Sequence, residues 1–394
     1  MPKFACEMKS IRLFLTLCLL PVAMLSAFGR EPYANPGDAP DSLGKKNIVS
    51  RIIAYFEDTN KPKTNKRFDI SFIGGPHFSS DTKLGLGLMA AGTYRHDKTD
   101  TIVNPSNVSL YGDVSTVGFY LIGIKGTHIF PHDRYRLNYN LYFYSFPTNF
   151  WGIGYDMGKY SSNKTSFKQF YFKGAVSALM RVGGHMYVGP AMEFDRIDAR
   201  KVENPSLWLG QKLSTTTVGA GIEMQLDTRD SRTEPHSGWF VSVEQKFCPS
   251  WLGNTYGFSF TSLKASHYRE VWKGGVVAGM VSGRFTYGDV PWGMLSTFGG
   301  SGTMRGYYEG RYRDKCGLDA TLELRQHIWR RSGAAVWAGA ATVTPSLGDL
   351  SWRKVLPCFG VGYRWEFKQR TNIRLDFGVG RGETAFIFNI NEAF

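Results

Sequence analysis

The feature that most constrains this chain is a two-residue alternation of side chains that recurs throughout residues 67–394. In residues 218–226 apolar side chains alternate with glycine, glutamate and glutamine, and residues 359–367 and 373–379 repeat the pattern. Successive side chains of a β-strand point to opposite faces, so the pattern predicts many strands with one apolar face each. A soluble β-sandwich and a membrane-spanning barrel share this alternation, because they differ only in whether the apolar face meets a core or lipid.

The composition favours the barrel. Aromatic residues make up 15% of the chain and glycine occurs 45 times, more aromatic surface than the core of a soluble sandwich needs. Beyond residue 29 no run approaches the ~18 apolar residues of a membrane-spanning helix. The predicted fold is therefore all-β, a transmembrane antiparallel β-barrel.

The alternating segments predict about sixteen strands, an even number typical of bacterial barrels. They are residues 67–76, 83–95, 106–116, 118–130, 134–146, 166–181, 184–197, 214–227, 238–247, 256–270, 274–288, 317–328, 333–342, 356–367, 371–379 and 384–394. Connections after even-numbered strands are mostly tight, whereas several after odd-numbered strands are long. This asymmetry predicts that both ends of the barrel chain lie at the periplasmic rim, with a long loop between strands 11 and 12.

The first 66 residues are predicted to lie outside the barrel. Residues 1–29 have basic residues, an apolar run at 13–25 and then small residues, which is typical of a signal peptide, with Met1 or Met8 as the start. Residues 30–66 are predicted to be a flexible leader that includes a short amphipathic helix at 47–56. That helix could lie on the membrane, plug the barrel or pack on a neighbouring domain. Export without a helical anchor predicts the bacterial outer membrane.

Charge and motifs narrow the function classes. The net charge is +14, and export makes outer-membrane lipid and lipopolysaccharide, rather than nucleic acid, the expected counter-charge.

The mature chain has an odd number of cysteines, Cys248, Cys316 and Cys358, which argues against a disulfide framework. We expect no cofactor, no metal and no catalytic site, since no metal-ligand spacing or nucleophile elbow occurs. An acyl hydrolase using His267 or His327 is an alternative.

The last strand has a pattern of its own. Phe386, Phe388, Ile390 and Phe394 are predicted to project to one side, as in the assembly signal of bacterial barrels. Glu392 occupies a position where that signal would have an apolar residue.

Three short motifs resemble those of a known family. In residues 299–308, Met304-Arg305-Gly306-Tyr307 resembles the Val-Arg-Gly-Phe/Tyr signature of the BamA/TamA superfamily of outer-membrane barrels, here in a glycine-rich setting that includes Gly300 and Gly302. The turn containing Asp227, Arg229 and Asp230 resembles the family's Asp-x-Arg-Asp turn. Residues 360–364 and 372–378 resemble its penultimate strand pair.

The resemblance implies that the long loop folds back into the barrel and that its arginine, Arg305, pairs with an acidic lumen residue. Residues 335–342 lack the aspartate that many members carry on this strand, so Glu323 and Asp376 are the expected partners. The leader is too short for a POTRA domain, the periplasmic client-binding module of the family. The chain therefore resembles the POTRA-less branch, and client handling cannot be carried over by analogy.

The resemblance favours a single-chain barrel that aids insertion or translocation of protein or lipid, with outer-membrane proteins as possible clients. Its machinery would be a weak seam between the first and last strands, where Gly74, Gly75 and Pro76 are predicted to cut the first strand short. The alternatives are a passive pore or surface-antigen barrel and, less favoured, the acyl hydrolase. The sequence leaves cargo and accessory partners open.

Overall fold

The computed structural model describes residues 68–79, 83–95, 105–368 and 370–394. The predicted signal peptide, leader and amphipathic helix lie outside these described residues.

One antiparallel sheet of sixteen strands dominates the described chain, and each strand pairs with the next along the sequence. The strands are β1 (Phe68–Ser79), β2 (Lys83–Tyr94), β3 (Ser106–Ser115), β4 (Tyr120–Ile129), β5 (Tyr135–Phe150), β6 (Thr165–Gly183), β7 (Met186–Arg200), β8 (Ser214–Asp227), β9 (Gly238–Cys248), β10 (Phe258–Trp272), β11 (Gly275–Gly288), β14 (Cys316–Trp329), β15 (Ser332–Thr344), β16 (Leu356–Lys368), β17 (Thr371–Gly380) and β18 (Glu383–Ile390). The short strands β12 (Ser296–Thr297) and β13 (Arg313–Asp314) form a separate hairpin inside the loop between β11 and β14. The predicted fold class, with its long loop after the eleventh strand, is confirmed.

The remaining helical elements are short and lie in connections. They are α1 (Tyr155–Lys159) and the 3-10 turns Pro131–Asp133, Ser161–Asn163, Pro205–Trp208, Ser250–Leu252, Trp292–Met294, Leu347–Asp349 and Trp352–Lys354. In the described part of the chain, none of the helices has the length and apolarity needed to cross a bilayer.

The strands carry their polar residues inward. On β14, Thr321, Glu323 and Arg325 are buried, whereas the intervening Leu322 is 61% exposed. Apolar side chains that remain exposed while charged ones are buried are the reverse of a soluble protein and the normal state of a barrel in lipid. The inner face of the sheet is therefore where a functional site has to be sought.

The two ends of the sheet approach each other. Residues of β1 and β18 come within 8 Å between Cα atoms, so the sheet curls back on itself. Among the described residues no hydrogen-bonded ladder joins these two strands, whereas ladders join all the other neighbours.

The expectation that Gly74, Gly75 and Pro76 cut the first strand short was wrong. β1 continues to Ser79, and Pro76 lies opposite Leu86 of β2. Proline lacks an N–H donor, but it is tolerated in an edge strand because only one side of that strand has to form the ladder. An early end of β1 is therefore not a feature of the junction with β18.

The expectation that Phe394 projects with Phe386, Phe388 and Ile390 was also wrong. β18 ends at Ile390, and Asn391 has a φ of +67°, which turns the chain inward. Phe394 is buried with Tyr268, Ala278 and Met280 on β10 and β11, while Phe388 is 43% exposed on the outer face.

Candidate functional site

The loop between β11 and β14, residues 289–315, lies against the inner face of the sheet. The β12–β13 hairpin closes its base, and the N–H of Gly300 donates to the carbonyl of Tyr307 at 3.1 Å. These bonds within the loop present Arg305 to the wall as part of a folded segment.

Arg305 meets both of the carboxylates expected from the sequence. Its guanidinium donates to Asp376 on β17 at 2.7 Å and to Glu323 on β14. The arginine is 1% exposed, and both carboxylates are fully buried. The guanidinium also lies 3.7 Å from the ring centroid of Trp337 on β15. The strand without the family's aspartate thus supplies an aromatic face instead.

The ion-pair cluster around Arg305 includes further charged residues. Arg325, Arg364 and Arg374 extend the pairing, with Arg325 2.7 Å from Glu323 and Arg364 and Arg374 at 2.6 and 2.7 Å from Asp376. Glu392, which follows β18, is 2.9 Å from Arg364. Each carboxylate is shared between arginines from different elements, so no charge in this cluster is buried alone. Breaking a buried pair of this kind costs roughly 3–5 kcal/mol because a charge is left uncompensated.

Glycine permits the loop and the wall to touch at the backbone. Gly306 has a φ of +134°, and a Cβ there would lie 2.7 Å from the carbonyl carbon of Val379. A Cβ on Gly378 of β17 would lie 2.1 Å from the carbonyl oxygen of Arg305. The hydroxyl of Tyr307 donates to the carbonyl of Pro357 at 2.7 Å. By contrast, a Cβ on Gly302 would meet nothing within 4 Å.

A second set of loop contacts, which the sequence did not reveal, reaches β18. Arg311 lies 2.5 Å from Glu383, and the N–H of Tyr308 donates to the same carboxylate at 3.0 Å. Arg311 also donates to the carbonyl of Gly158 in α1 at 2.8 Å. No motif marks these residues, because their partners are far away in the sequence.

The loop is covered on its other side by an aromatic cluster. Phe150 stacks on Trp208 with ring centroids 4.1 Å apart, and Trp292 of the long loop lies edge-on to both. The N–H of Gly154 donates to the carbonyl of Arg313 at 2.8 Å, which joins the loop after β5 to β13. Loops after β5, β7 and β11 therefore pack together over one mouth of the sheet.

The turn after β8 crosses the opposite mouth. Asp227 and Arg229 pair with each other at 2.8 Å, whereas Asp230 pairs with Arg370 at 2.7 Å, between β16 and β17. The N–H groups of His236 and Ser237 also donate to Asp230. Burial raises the pKa of Asp230, but these hydrogen bonds and the charge of Arg370 outweigh burial and hold its pKa below the ordinary value.

The residues considered for catalysis do not converge. His267 packs against Trp239 on the outer face, with ring centroids 4.1 Å apart, and His327 is exposed near a turn. Cys248, Cys316 and Cys358 are buried and unpaired with one another. No group of His, Cys, Asp and Glu with metal-binding geometry occurs in the described ranges.

A family model decides the relationship, because the Omp85 superfamily domain matches residues 59–394. The chain belongs to the Omp85 superfamily. The resemblance to the BamA/TamA superfamily that its motifs suggested is thereby confirmed. Omp85 barrels such as BamA and CdiB lie in the bacterial outer membrane and are not enzymes, and this Omp85 chain shares that location and the non-enzymatic class.

Solved structures agree on the Omp85 fold. BamA from Haemophilus ducreyi lacking POTRA domains 1–3 is similar with a TM-score of 0.54 and 14% identity, covering 83% of this chain and 70% of that one. CdiB from Acinetobacter baumannii gives a TM-score of 0.50 at 10% identity, over 90% of this chain and 69% of that one. CdiB from Escherichia coli gives 0.53 at 9% identity, over 82% and 62%. No curated protein matched the sequence.

Proposed function

We propose that this Omp85 barrel inserts or translocates client proteins at the outer membrane by opening the junction between β1 and β18. The observation that carries the proposal is the missing ladder at that junction among the described residues, although the strands approach within 8 Å. Unpaired N–H and C=O groups on two strand edges can hydrogen bond to an incoming strand. The class of client that fits is an unfolded polypeptide whose sequence alternates apolar and polar residues and can form β-strands.

Strand length supports the proposal. β18 has 8 residues, whereas β5 and β6 have 16 and 19 and pair along the whole length of β5. Each backbone hydrogen bond contributes about 1 kcal/mol net, so a junction of at most β18's length opens at lower cost than the β5–β6 pair.

The Arg305 loop supports the proposal in a second way. Glu383 at the start of β18 is held by Arg311, and Glu392 after its end is held by Arg364. The loop and the cluster of charges therefore keep β18 in place while β1 moves away. We propose that Arg305, through Glu323 and Asp376, has this positioning role rather than a role in contacting the client.

A disulfide across the junction tests the proposal. Ile70 and Phe72 of β1 and Phe388 of β18 are exposed on the outer face, so the cysteine pairs 70/388 and 72/386 are tested as crosslinks between the two strands. The native cysteines are first replaced by alanine. The double-cysteine variant that forms the disulfide is then expressed in a strain depleted of the native protein. We expect loss of particular outer-membrane proteins, measured by proteomics of the outer membrane, and recovery with reductant.

The matched control places the disulfide inside the wall, at Leu375 and Phe388, which lie opposite each other on β17 and β18. This lock leaves the junction free, so the outer-membrane proteome is expected to stay normal. Normal client levels with the junction fully crosslinked would overturn the proposal.

The alternative function is a passive pore or surface-antigen barrel, and the polar inner wall favours it. Lys246, Glu193 and Glu244 form a second charge cluster there, in which Lys246 and Glu193 are buried. Such a barrel needs no opening at the junction, so both disulfide variants would behave like the native chain. We further propose that the barrel acts as a single chain and that lipopolysaccharide surrounds its exposed loops.

A further inference from the structure

Four tight turns at the same end of the sheet carry exposed positive charge. They join β4 to β5, β6 to β7, β10 to β11 and β14 to β15. The turns and the strand residues beside them carry exposed basic side chains that form no ion pair with any carboxylate in the described part of the chain: Arg134, Arg181, Arg269, Lys273 and Arg330. We call these five residues the basic rim.

The nearby acidic groups form no ion pair with these basic side chains. Asp133 is held by Arg136 at 2.6 Å and by the hydroxyl of Tyr187 at 2.6 Å. Glu270 accepts a hydrogen bond from the N–H of Gly274 at 3.1 Å. The positive charge of the basic rim therefore has no carboxylate partner from these turns.

Apolar side chains project beside this charge because of β-bulges. The register shifts between Arg181 and Gly183, between Glu270 and Trp272, and between His327 and Trp329. The residues skipped at these bulges are exposed and apolar: Val182 at 55%, Val271 at 44% and Ile328 at 64%. A bulge adds one residue to a strand and redirects a side chain, so three of these four turns use the same device.

Aromatic residues complete the arrangement. Trp272 and Trp329 are more than half exposed, the guanidinium of Arg330 lies 4.5 Å from the centroid of Trp329, and that of Arg134 lies 5.6 Å from Tyr135. Tryptophan and tyrosine gather where a bilayer's apolar region meets its headgroups. This combination of exposed aromatic and basic side chains is the one expected of a rim at headgroup level.

We propose that the basic rim is a binding surface for anionic phospholipid headgroups of the periplasmic leaflet. Short turns face the periplasm in bacterial outer-membrane barrels, which places the rim at that leaflet. Arginine and lysine bind the phosphate oxygens of such headgroups, while Val182, Val271 and Ile328 meet the acyl chains. An acidic protein would match the charge but not the apolar residues interleaved with it. This proposal does not depend on client transport.

The test compares the native chain with a variant in which four basic rim residues are neutralised: Arg134→Gln, Arg181→Gln, Lys273→Gln and Arg330→Gln. Folded protein is reconstituted into phosphatidylcholine vesicles with a small fraction of dansyl-labelled phosphatidylglycerol. Energy transfer from tryptophan, compared with that to dansyl-labelled phosphatidylcholine, measures enrichment of the anionic lipid around the barrel. We expect enrichment to fall about fivefold or more, and to fall for the native chain as salt is raised.

A matched variant removes the same charge from the loops at the other rim, where the side chains are also exposed: Lys159→Gln, Lys164→Gln, Lys212→Gln and Arg353→Gln. With lipid supplied at equal composition in both leaflets, this variant is expected to lose clearly less enrichment than the rim variant. A variant with lysine at Arg134, Arg181 and Arg330 keeps the charge and is expected to keep enrichment, which separates charge from misfolding. Equal enrichment in the native and rim-neutralised proteins would overturn the proposal and leave the charge to an acidic protein partner.

Discussion

Arg305 illustrates what a sequence reveals about a single residue. The alternation of β14 and β17 placed Glu323 and Asp376 on the inner face, and the family motif pointed Arg305 at that face. The structure brings all three together. The alternation could not reveal Trp337 as the fourth participant, because an inward tryptophan looks like any core residue. Glu392 was missed because the chain turns inward at Asn391, where no strand pattern applies.

Replacement of Arg305 by alanine is expected to leave Glu323 and Asp376 with one arginine fewer and to destabilise the loop by roughly 3–5 kcal/mol. The measurement is limited trypsin cleavage within residues 289–315 of folded barrels, together with the temperature at which the barrel unfolds on a gel. Arg200→Ala is the control, since that side chain is 60% exposed and pairs only at 3.5 Å. Unchanged cleavage in Arg305→Ala would contradict a positioning role.

The glycines of the loop are expected to differ from one another. Gly306→Ala places a Cβ against the backbone of Val379 at a positive φ, which costs about 1–3 kcal/mol of strain and lifts the loop from β17. Gly302→Ala meets open space and is expected to behave like the native chain. The same cleavage and unfolding measurements decide the matter, and equal behaviour of the two variants would refute the proposed close approach.

At the scale of elements, the alternation predicted the sixteen strands and their order well because it is a local property repeated in every strand. The edge strands and the ends of strands were predicted poorly because they depend on the position of a strand in the fold, which a local pattern does not contain. Pro76 looked like a strand breaker, yet an edge strand tolerates it, and no local pattern tells which strand is at an edge. Phe394 kept the two-residue spacing of β18 after the strand itself had ended.

The turn after β8 yields an expectation about one element. Asp230→Ala removes the pairing with Arg370 and the acceptor for two backbone N–H groups, so the turn is expected to be cleaved faster by trypsin after Arg229 or Arg232. Asp156→Ala is the control, because Asp156 is 75% exposed and lies 3.9 Å from Lys354. Equal cleavage of the turn in both variants would show that Asp230 does not hold it.

The stability of the same turn is expected to depend on pH through the Asp230 carboxylate. Because the pKa of Asp230 lies below its ordinary value in the folded chain, its carboxylate stabilises the turn above that ordinary value, near pH 4. This contribution is lost only as the pH falls through the lowered pKa. The turn is therefore expected to remain protected from hydrogen exchange at neutral and mildly acidic pH.

At the scale of the whole molecule, both mouths of the sheet are covered. The loops after β5, β7 and β11 pack over one mouth, and the turn after β8 crosses the other. We expect little steady conductance when the protein is reconstituted in a planar bilayer, and a rise when residues 299–308 are replaced by a short glycine-serine linker. A steady conductance that this replacement does not change would favour the passive pore.

The inward turn at Asn391 has a consequence for the two sides of the junction. Phe394 is buried against residues of β10 and β11, and Glu392 is bound to Arg364, so the chain following β18 is fastened to the far side of the interior. Arg311 fastens the other end of β18 through Glu383. Because both ends of β18 are bound to residues inside the barrel, β18 cannot move outward unless these contacts break. If the junction opens as proposed, we therefore expect β1 to move away and β18 to remain as the edge that pairs with an incoming strand.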